Sequence, residues 1–383
     1  MKSKIGIVIP TLHGAGCEKL LSEMLFEFER EFDIDLILYE HKIDYNIPNN
    51  LNIITLNSQN TASNNIIYKI IRAVKRIDKI GKTIKQNNYD AVISFIDGCN
   101  INTFLGCKLH RCKTPLILAE HTINEGFFKN NKYAKKVERL YKFLLKVTYN
   151  NADKVIVISK AMKRYMKDKL KISNEMTVIY NGIDTKKFNL AKNKNSNLEK
   201  EFVNAKIKLL NVARLDDNKN QQYLINLMPE ILKQKPEMKL FIIGKGEKEN
   251  ELKTLIKNLN LENKIFLLGW KNNVQDYMKE ADVFVMSSKY EGFPMTIIES
   301  ISVGLPVVSS LSNKSIYEVL KDKNYGQVVK LEDKKEFLNA IVYYLENKID
   351  KEILHKYIKE NFSLEKTTNE YIKTIKKAID EKR

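Results

Sequence analysis

The chain has 383 residues, of which 43% are hydrophobic and 29% charged, which is typical of a soluble globular protein with two domains rather than one. No apolar run approaches the roughly 18 residues of a membrane-spanning helix, and Ile5–Pro10 is too short for a secretory signal. The net charge is +18, and residues 1–188 hold 31 Lys and Arg against 19 Asp and Glu. This first half therefore favours anionic partners such as phosphate, acidic lipid or nucleic acid.

The four cysteines are too few for a disulfide framework, which favours reduced thiols and a cytoplasmic protein. Cys107 and Cys112 are separated by four residues, but no second Cys or His pair completes a zinc site. The only Asp-x-Asp motif, Asp33–Asp35, falls at the junction of a predicted helix and strand, and we interpret it as a capped turn. We therefore expect no metal and no other cofactor.

In the first half, short β-branched runs alternate with helical patterns, which predicts a parallel sheet covered by helices. The first predicted helix is Glu18–Phe32. The predicted strands are Ile5–Pro10, Leu36–Tyr39, Ala91–Phe95, Leu116–Ala119, Val155–Ser159 and Met176–Tyr180. Gly14 and Gly16 lie in the turn before the first helix, where glycine lets the backbone approach a phosphate. His121 follows a strand at its ligand-binding end, although a lone histidine is also compatible with a structural role.

Two amphipathic stretches in this half, 66–85 and 129–149, are rich in Lys and Arg and carry apolar residues at helical spacing. Helices of this kind lie on anionic membrane surfaces. The alternative is a pair of ordinary helices that cover the sheet and expose a basic face. Nucleic acid is disfavoured as a partner, because no recognition fold or row of stacking aromatics accompanies these charges.

A polar segment rich in Asn and Lys separates the two halves. We predict an N-terminal domain over 1–188, a linker over 189–200, a C-terminal domain over 201–362, and a tail helix over 363–383 that packs back on the first domain. The predicted strands of the second domain are Ile207–Val212, Lys239–Ile243, Ile265–Leu268, Val283–Met286, Pro306–Val308 and Gln327–Val329. The simplest architecture is two Rossmann-like, doubly wound α/β domains that face each other across a cleft.

A basic pair, Arg214 and Lys219, follows the strand Ile207–Val212. A leaving nucleoside diphosphate develops negative charge, which fixed cations or a divalent metal must stabilise. Arg214 can make a bidentate contact with phosphate, and Lys219 can act as a point charge. The same loop is also compatible with a solvated surface of a Lys-rich protein.

Gly244 and Gly246 form a second glycine turn, after the strand Lys239–Ile243. Neither glycine turn continues into a dinucleotide-binding fingerprint, because Lys19 and Glu249 stand where the third glycine is required. A dehydrogenase is therefore disfavoured.

The most specific segment of the chain contains two glutamates, Glu291 and Glu299, with seven residues between them. It follows a buried strand, and Pro294 suits the first turn of a helix over Met295–Val303. The free N–H groups and the positive dipole end of that helix can hold a phosphate. The two carboxylates can then bond hydroxyls on either side of a diphosphate, a layout that matches a nucleoside-diphosphate sugar.

These motifs together resemble glycosyltransferase family 4, the group 1 retaining transferases of the GT-B fold. Glu291–Glu299 is similar to the family's E-x7-E motif, and Arg214–Asn220 resembles its G-R-L-x-x-x-K-N/G element, with Ala213 in place of the usual glycine. Gly14–Glu18 resembles the family's glycine-rich turn, with a slight departure at its end. The likeness covers most of residues 5–310. It implies that the N-terminal domain, 1–188, binds the acceptor and that the C-terminal domain, 201–362, binds the nucleotide sugar.

The resemblance implies that Glu291 binds hydroxyls of the donor sugar and that Glu299 binds the ribose. It also implies that Trp270 lies against the nucleobase, although the only tryptophan is equally compatible with packing. The residues implied at the reacting centre are His121, Arg214, Lys219 and Glu291. The residues implied to contact the donor are Gly14, Gly16, Gly244, Trp270, Lys271, Phe293, Pro294, Met295, Thr296, Ile297 and Glu299.

The implied reaction moves a hexose or an N-acetylhexosamine from a nucleotide-diphosphate sugar, expected to be a UDP-sugar, with retention and without a metal. The expected acceptor is a saccharide, lipid-linked or a precursor of a cell-surface polysaccharide, used in the cytoplasm or at the inner face of the cell membrane. Two alternatives stay open. One is a sugar-nucleotide epimerase of similar two-domain shape, and the other is a catalytically silent sugar-nucleotide-binding subunit.

Overall fold

The computed structural model describes residues 2–14, 16–56, 66–122, 132–191 and 197–382. The chain divides into two compact units. Unit 1 contains residues 1–182 and the C-terminal segment 364–383, and unit 2 contains residues 183–363. The division therefore falls ahead of the boundary at residue 188 that we place from the sequence. Residues 192–196 of the predicted linker lie outside the described residues.

The described residues of unit 1 form twelve elements before the division and one helix after unit 2. They are β1 (Ser3–Ile9), α1 (Gly16–Glu31), β2 (Phe32–Leu38), β3 (Asn52–Thr55), α2 (Ile66–Asn87), β4 (Ala91–Phe95), α3 (Asp97–Leu109), β5 (Leu116–Glu120), α4 (Lys132–Asn150), β6 (Lys154–Val157), α5 (Lys160–Asp168) and β7 (Met176–Val178), and the last helix is Leu364–Asp380. The seven strands form one parallel sheet in the order β3-β2-β1-β4-β5-β6-β7.

Unit 2 repeats this alternation. Its elements are α6 (Lys200–Val203), β8 (Ile207–Val212), α7 (Gln221–Gln234), β9 (Met238–Ile243), α8 (Glu249–Asn258), β10 (Ile265–Gly269), α9 (Val274–Glu280), β11 (Val283–Met286), α10 (Met295–Ser302), β12 (Val307–Ser310), α11 (Ile316–Val319), β13 (Gln327–Val329), α12 (Lys334–Glu346) and α13 (Lys351–Asn361), which makes Leu364–Asp380 helix α14. The six strands form a parallel sheet in the order β10-β9-β8-β11-β12-β13. The expected fold class, two α/β domains with parallel sheets, is confirmed.

Burial follows from this layering. Central strands of a parallel sheet are covered on both faces and therefore consist of continuous apolar runs, and β4 and β5 are buried at every position. Helix α14 contributes Tyr371 and Ile375 to the core of unit 1, where the ring of Tyr371 packs against Phe28 of α1 at 6.4 Å between centroids. The C-terminal helix is thus part of the domain that begins the chain.

Each sheet reverses its strand order near its centre. After β3 the chain returns to β4 beside β1, and after β10 it returns to β11 beside β8. Open parallel sheets bind ligands outside the carboxyl ends of their strands at such a switch point. The loops after β1 and β4, and those after β8 and β11, are therefore the places where each unit can hold a ligand.

The interpretation of Asp33–Asp35 as a capped turn is wrong, because these residues lie in β2. Asp35 is 2% exposed. Its carboxylate accepts hydrogen bonds from Asn52 Nδ2 at 2.8 Å and from Tyr89 Oη at 2.7 Å, and it pairs with Lys4 Nζ at 3.2 Å. The strand β3, which our sequence analysis omits, pairs with β2 beside it. Asp35 therefore joins neighbouring elements of the sheet.

No helix in the described part of the chain combines the length and the apolarity needed to cross a membrane. Across the same described ranges, no group of three or more His, Cys, Asp or Glu side chains is placed to hold a metal ion. The four cysteines are free thiols.

Candidate active site

Two loops leave the sheet of unit 2 at its switch point. The loop after β8 carries Arg214 and Lys219, and the loop after β11 carries Glu291. Because β8 and β11 are neighbouring parallel strands, both loops begin at the same edge of the sheet. The structure therefore brings together these three predicted residues, which are far apart in the sequence.

Hydrogen bonds tie the two loops to each other. Ser287 Oγ makes a bifurcated contact with the carbonyl oxygens of Asn220 and Lys219, at 2.9 and 3.0 Å. Asn218 Nδ2 donates to the carbonyl oxygen of Tyr290 at 2.8 Å. These bonds fix the backbone on both sides of the predicted functional side chains.

Lys219 and Glu291 form an ion pair across the two loops, with 2.7 Å between Nζ and Oε1. The two side chains are only 19% and 13% exposed, so water screens their attraction less than that of a surface pair. Arg214 differs, because its side chain is 75% exposed and lies 3.3 Å from Asp216. The loop therefore offers one cation in a mostly buried ion pair and one that projects into solvent beside Asp216.

A third loop, after β12, supports the backbone of the glutamate segment. Asn313 Nδ2 donates to the carbonyl oxygen of Glu291, and Ser315 Oγ donates to that of Gly292 at 3.2 Å. Sequence reasoning missed Asn313, as it missed Asn218 and Ser287. Each lies in a loop that follows a strand, but its partner is 22 to 72 residues away in the sequence.

Helix α10 begins at Met295, as the sequence predicts, with Pro294 at its N-cap position. The amides of Met295 and Ile297 donate to the carbonyl oxygens of Phe293 and Pro294, at 3.0 and 3.1 Å. Two of the amides predicted to contact the donor thus already have acceptors. The carbonyl oxygen of Thr296 accepts a hydrogen bond from Ser300 Oγ within the helix.

Two side chains of the glutamate segment, those of Phe293 and Glu299, are buried. Phe293 is 7% exposed and its ring packs against Phe362, with 6.1 Å between centroids. Glu299 is 8% exposed within α10. Glu299 is therefore not a solvated surface glutamate.

The glycine turn after β9 lies against the loop that carries Arg214. A Cβ atom added at Gly244 would lie 1.9 Å from the carbonyl oxygen of Ala213, and one added at Gly246 would lie 2.2 Å from that of Leu215. Only glycine permits this approach, and Gly244 also has a φ of 147°. The turn is therefore part of the same edge as the basic pair.

Trp270 and Lys271 follow β10, the outer strand beside β9. The indole is 66% exposed and donates from Nε1 to Asn272 Oδ1 at 2.9 Å, so the alternative of core packing is wrong for Trp270. Lys271 pairs with Glu199, which also accepts the hydroxyl of Tyr277. Lys271 thus has an ion-pair partner in the structure.

In unit 1, Gly14 and Gly16 follow β1 at the switch point. Gly14 has a φ of 77°, which favours glycine, whereas a Cβ at Gly16 would meet no atom of the described structure within 4 Å. Gly16 is the first residue of α1. The turn therefore leaves open space at the start of that helix.

His121 follows β5 and is 8% exposed. Its Nε2 lies 3.1 Å from Tyr371 Oη, and its ring packs against Phe95 at 5.6 Å. Burial lowers the pKa of His121 to about 3, so the imidazole is neutral at pH 7. Nδ1 is buried and has no hydrogen-bond partner among the described residues.

The carboxylate next to this histidine belongs to a buried polar network. Glu120 accepts hydrogen bonds from the amide of Thr122 at 2.8 Å and from the hydroxyl of Tyr149, which in turn accepts from Asn100 Nδ2 at 2.9 Å. Burial, and secondly the charge of Asp97, raise the pKa of Glu120 to about 8. A perturbed carboxyl group of this kind is a feature of functional sites, and sequence reasoning missed it.

The backbone is strained where β4 ends. Ile96 is β-branched and has a φ of 74°, a conformation that costs on the order of 1–3 kcal/mol and is concentrated at functional sites. The amide of Ile96 donates to Ala119 at 3.1 Å, and the amide of Asn100 donates to Ile96 at 2.8 Å. These bonds hold the strained residue at the switch point of unit 1.

Two family models match adjoining parts of the chain. Residues 16–187 match the model described as Glycosyltransferase Family 4, and residues 193–361 match the model described as Glycosyl transferases group 1. The first match lies within the part of unit 1 that precedes the division, apart from its last residues, and the second lies within unit 2. Both of the loops with Arg214 and Glu291 belong to the second match.

Two enzymes are similar over most of their length. An N-acetylgalactosamine-N,N'-diacetylbacillosaminyl-diphospho-undecaprenol 4-alpha-N-acetylgalactosaminyltransferase of Campylobacter jejuni is 28% identical over 346 residues, which is 90% of each chain. A UDP-Gal:alpha-D-GlcNAc-diphosphoundecaprenol alpha-1,3-galactosyltransferase of Escherichia coli is 30% identical over 296 residues, covering 73% of this chain and 72% of that one.

Solved structures show the same fold. Sucrose-phosphate synthase from Thermosynechococcus elongatus superposes with a TM-score of 0.81 at 16% identity and covers 98% of this chain and 99% of its own. Anabaena Alr3699/HepE in complex with UDP-glucose has a TM-score of 0.76 at 17% identity, with 98% and 100% covered. Because both units match family models and a relative reaches 30% identity over nearly three quarters of the chain, the protein belongs to glycosyltransferase family 4, the group 1 glycosyltransferases of the GT-B fold.

Proposed function

We propose that this glycosyltransferase moves a hexose or an N-acetylhexosamine from a UDP-sugar to a saccharide carried on a lipid diphosphate, with retention and without a metal. The observation that carries the proposal is the ion pair between Lys219 and Glu291, at 2.7 Å across the switch point of unit 2. This pair holds a cation beside a carboxylate. In a nucleotide-sugar donor the diphosphate adjoins the sugar hydroxyls, so the cation can bind the diphosphate and the carboxylate can bind the hydroxyls.

The cations at this edge suit the leaving group. When the bond between the sugar and the β-phosphate breaks, UDP gains negative charge that the enzyme must stabilise. Lys219 is held in place by Glu291, and Arg214 projects from the same loop with a planar group that matches phosphate oxygens. These two charges support a mechanism in which side chains perform the role that a divalent metal performs elsewhere.

Glu291 is proposed to orient the donor sugar and Glu299 the ribose. The acceptor oxygen then bonds to the anomeric carbon on the face that the phosphate leaves, and the leaving phosphate takes the acceptor's proton. His121 is neutral and has one buried nitrogen without a partner among the described residues. It is proposed to hydrogen-bond the sugar at the reacting face and to carry no charge there.

The lipid-linked acceptor is proposed from the similar enzymes, whose names specify diphospho-undecaprenol substrates. Two helices of unit 1 suit a membrane-borne acceptor. On α2, Tyr68, Ile71 and Val74 are exposed, and on α4, Leu140 and Phe143 are exposed. Residues 129–131 of the second predicted stretch lie outside the described residues.

Apolar side chains among basic ones bind anionic membrane surfaces, and α3 lies between the two helices, in contact with both. We therefore propose that one face of unit 1 contacts the anionic inner leaflet. Co-sedimentation with vesicles containing anionic lipid tests this proposal. The double variant Leu140→Ser and Phe143→Ser is expected to reduce binding about tenfold, and an unchanged partition would contradict it.

Transfer of radiolabel from UDP-glucose, UDP-galactose, UDP-GlcNAc and UDP-GalNAc to a lipid-linked saccharide extract tests the reaction. We expect label in the lipid phase with one of these donors, at the same rate with and without EDTA, and an α-linked product by NMR. Conversion of the UDP-sugar without an acceptor would identify an epimerase, and binding of UDP without turnover would identify a silent subunit.

The same assay tests the site. Glu291→Ala and Arg214→Ala are each expected to lower kcat/KM by about 100-fold or more, the cost of removing a group that stabilises developing charge. The matched control is Glu346→Ala, which breaks an exposed pair with Lys235 in the same unit. Full transfer by both Glu291→Ala and Arg214→Ala would overturn the assignment of the site.

A further inference from the structure

The C-terminus of helix α3 brings two cysteines together. The helix ends at Leu109, and Arg111 follows in a left-handed conformation with a φ of 53°. The amide of Cys112 donates to the carbonyl oxygen of Cys107 at 2.9 Å, and the amide of Arg111 donates to that of Lys108 at 3.2 Å. These two bonds define a Schellman motif, with the cysteines at its first and sixth positions.

The motif places these two side chains against each other, since its first and sixth positions are those that make a hydrophobic contact. Here both are thiols, and each is close enough to shift the pKa of the other, with that of Cys107 raised and that of Cys112 lowered. Both thiols are free. A backbone arrangement that packs apolar groups in other helices therefore holds two oxidisable thiols close together.

The two thiols differ in access and in charge. Cys107 is 8% exposed, whereas Cys112 is half-buried and its Sγ lies 3.5 Å from the carbonyl oxygen of Gly81 on α2. The hydrogen bond from Cys107, and then the charges of His110 and Lys85, lower the pKa of Cys112 to about 7. The accessible member of the pair is thus the one with thiolate character, as in cysteines that react with oxidants.

We propose that Cys107 and Cys112 are a redox-active dithiol that hydrogen peroxide converts into an intramolecular disulfide. The Cys112 sulfur attacks one peroxide oxygen, the O–O bond breaks, and hydroxide leaves with sulfenic acid formed at Cys112. The Cys107 sulfur then attacks Cys112, the S–S bond forms, the S–O bond breaks, and water leaves with the Cys107 proton. The two thiols lose two electrons, and one peroxide becomes two waters.

The other cysteines provide an internal comparison. Cys17 is also half-buried, but burial raises the pKa of its thiol well above the usual value, and Cys99 is 2% exposed with a raised pKa as well. At pH 7 these groups are almost entirely protonated. The proposal therefore predicts that Cys112 is alkylated by iodoacetamide at least about tenfold faster than Cys17 in the native enzyme.

Peptide mapping of the full-length protein tests the proposal directly. The reduced protein is treated with hydrogen peroxide, alkylated and digested with trypsin, which separates the two cysteines by cutting after Lys108 and Arg111. We expect a cross-linked pair of peptides that dithiothreitol releases. Because Cys99 and Cys107 share the tryptic peptide 86–108, fragmentation of this pair must place the bond between Cys107 and Cys112. Both thiols alkylated and unlinked after peroxide treatment, or a disulfide that involves Cys17 or Cys99 instead, would overturn the proposal.

Variants separate the two roles without relying on enzyme activity. In Cys107→Ser, the sulfenic acid has no resolving thiol, so dimedone is expected to label Cys112 after peroxide treatment. In Cys112→Ser, Cys107 is expected to remain unlabelled. Labelling of Cys107 at the level of Cys112 would reverse the assignment and overturn the mechanism. Circular dichroism of each variant before oxidation checks that it is folded.

Discussion

At the scale of single residues, the centre of the candidate site is an ion pair whose partners come from different loops. Lys219 and Glu291 are mostly buried, whereas Lys235 and Glu346, another pair in unit 2, are 31% and 57% exposed. An exposed pair contributes little to stability, but the loss of one partner from a buried pair leaves a charge with poor solvation. The positions of the Lys219 ammonium group and the Glu291 carboxylate therefore depend on each other.

Lys219→Met tests this coupling. It removes the cation near the leaving group and leaves Glu291 without its 2.7 Å partner, so we expect kcat/KM to fall about 100-fold and the free energy of unfolding of unit 2 to fall by about 1–3 kcal/mol. Steady-state kinetics and urea unfolding measure the two effects. Lys235→Met is the control and is expected to stay within about 0.5 kcal/mol of wild type. Unchanged kinetics in Lys219→Met would contradict the assigned role.

The sequence predicts Arg214, Lys219 and Glu291 because each follows a recognisable strand, and parallel strands end at a common edge. It does not predict Asn218 or Ser287. Their hydrogen bonds join positions 67 to 72 residues apart, and these partners become visible only when β8 and β11 are known to be neighbours. The roles of the predicted residues in catalysis stay predictions.

A second residue-scale prediction concerns Glu120 and pH. Since burial and the charge of Asp97 raise its pKa from 4.5 to about 8, folded unit 1 binds more protons than the unfolded chain between these values. The contribution of Glu120 to stability is therefore complete below about pH 4.5 and is lost as the pH rises to about 8. Glu120→Gln cannot ionise, so its stability relative to wild type is expected to increase across this interval.

Urea unfolding at several values between pH 5 and pH 8.5 measures this difference. Glu27→Gln, on the exposed face of α1, is the control and is expected to follow the wild-type profile. A constant difference between Glu120→Gln and wild type over the whole interval would show that Glu120 has no raised pKa in the folded protein.

At the scale of elements, two glycines allow helices α2 and α3 to pack closely. A Cβ atom at Gly106 would lie 2.6 Å from the carbonyl oxygen of Ile77 and 2.9 Å from the amide nitrogen of Gly81. Gly106→Ala is therefore expected to separate the helices and to cost about 1–3 kcal/mol, the usual effect of overpacking. Thermal or urea unfolding measures it.

Gly98→Ala is the matched control, because it lies in the same helix and its Cβ would meet no atom of the described structure within 4 Å. There alanine is expected to leave stability unchanged or to raise it by up to about 1 kcal/mol, since glycine is the poorer helix former. Equal destabilisation by the two substitutions would show that helix packing is not the cause.

Elements with long apolar runs could be predicted from the sequence, and those that depend on distant partners could not. The strands β8, β9 and β11 match the predicted runs at most positions. The strand β3 has four residues at the edge of the sheet, which is too short to show alternation. The start of β2 could not be predicted, because two aspartates are unusual in a buried strand. The partners that stabilise Asp35 there, Lys4 and Tyr89, are remote in sequence.

At the scale of the whole molecule, the chain forms two hydrophobic cores, one from a single continuous segment and one from two separate segments. The core of unit 2 consists of one uninterrupted segment, residues 183–363, whereas the core of unit 1 requires both the first 182 residues and the terminal segment. The βα alternation of each half predicts two parallel sheets, since periodicity is local information. Which residues belong to which core also depends on the surface that α14 covers. That surface is set by tertiary packing and cannot be read from local periodicity.

The last prediction follows from this division. Ile375 of α14 is fully buried in the core of unit 1, so Ile375→Ala is expected to cost about 2–5 kcal/mol in that unit alone. Hydrogen exchange measured by peptide mass should show faster exchange in β1, β4 and β5, with β8 and β11 unchanged. Lys373→Ala, on the exposed face of the same helix, should leave both units unchanged. Faster exchange in β8 and β11 of Ile375→Ala would show that the two cores unfold as one.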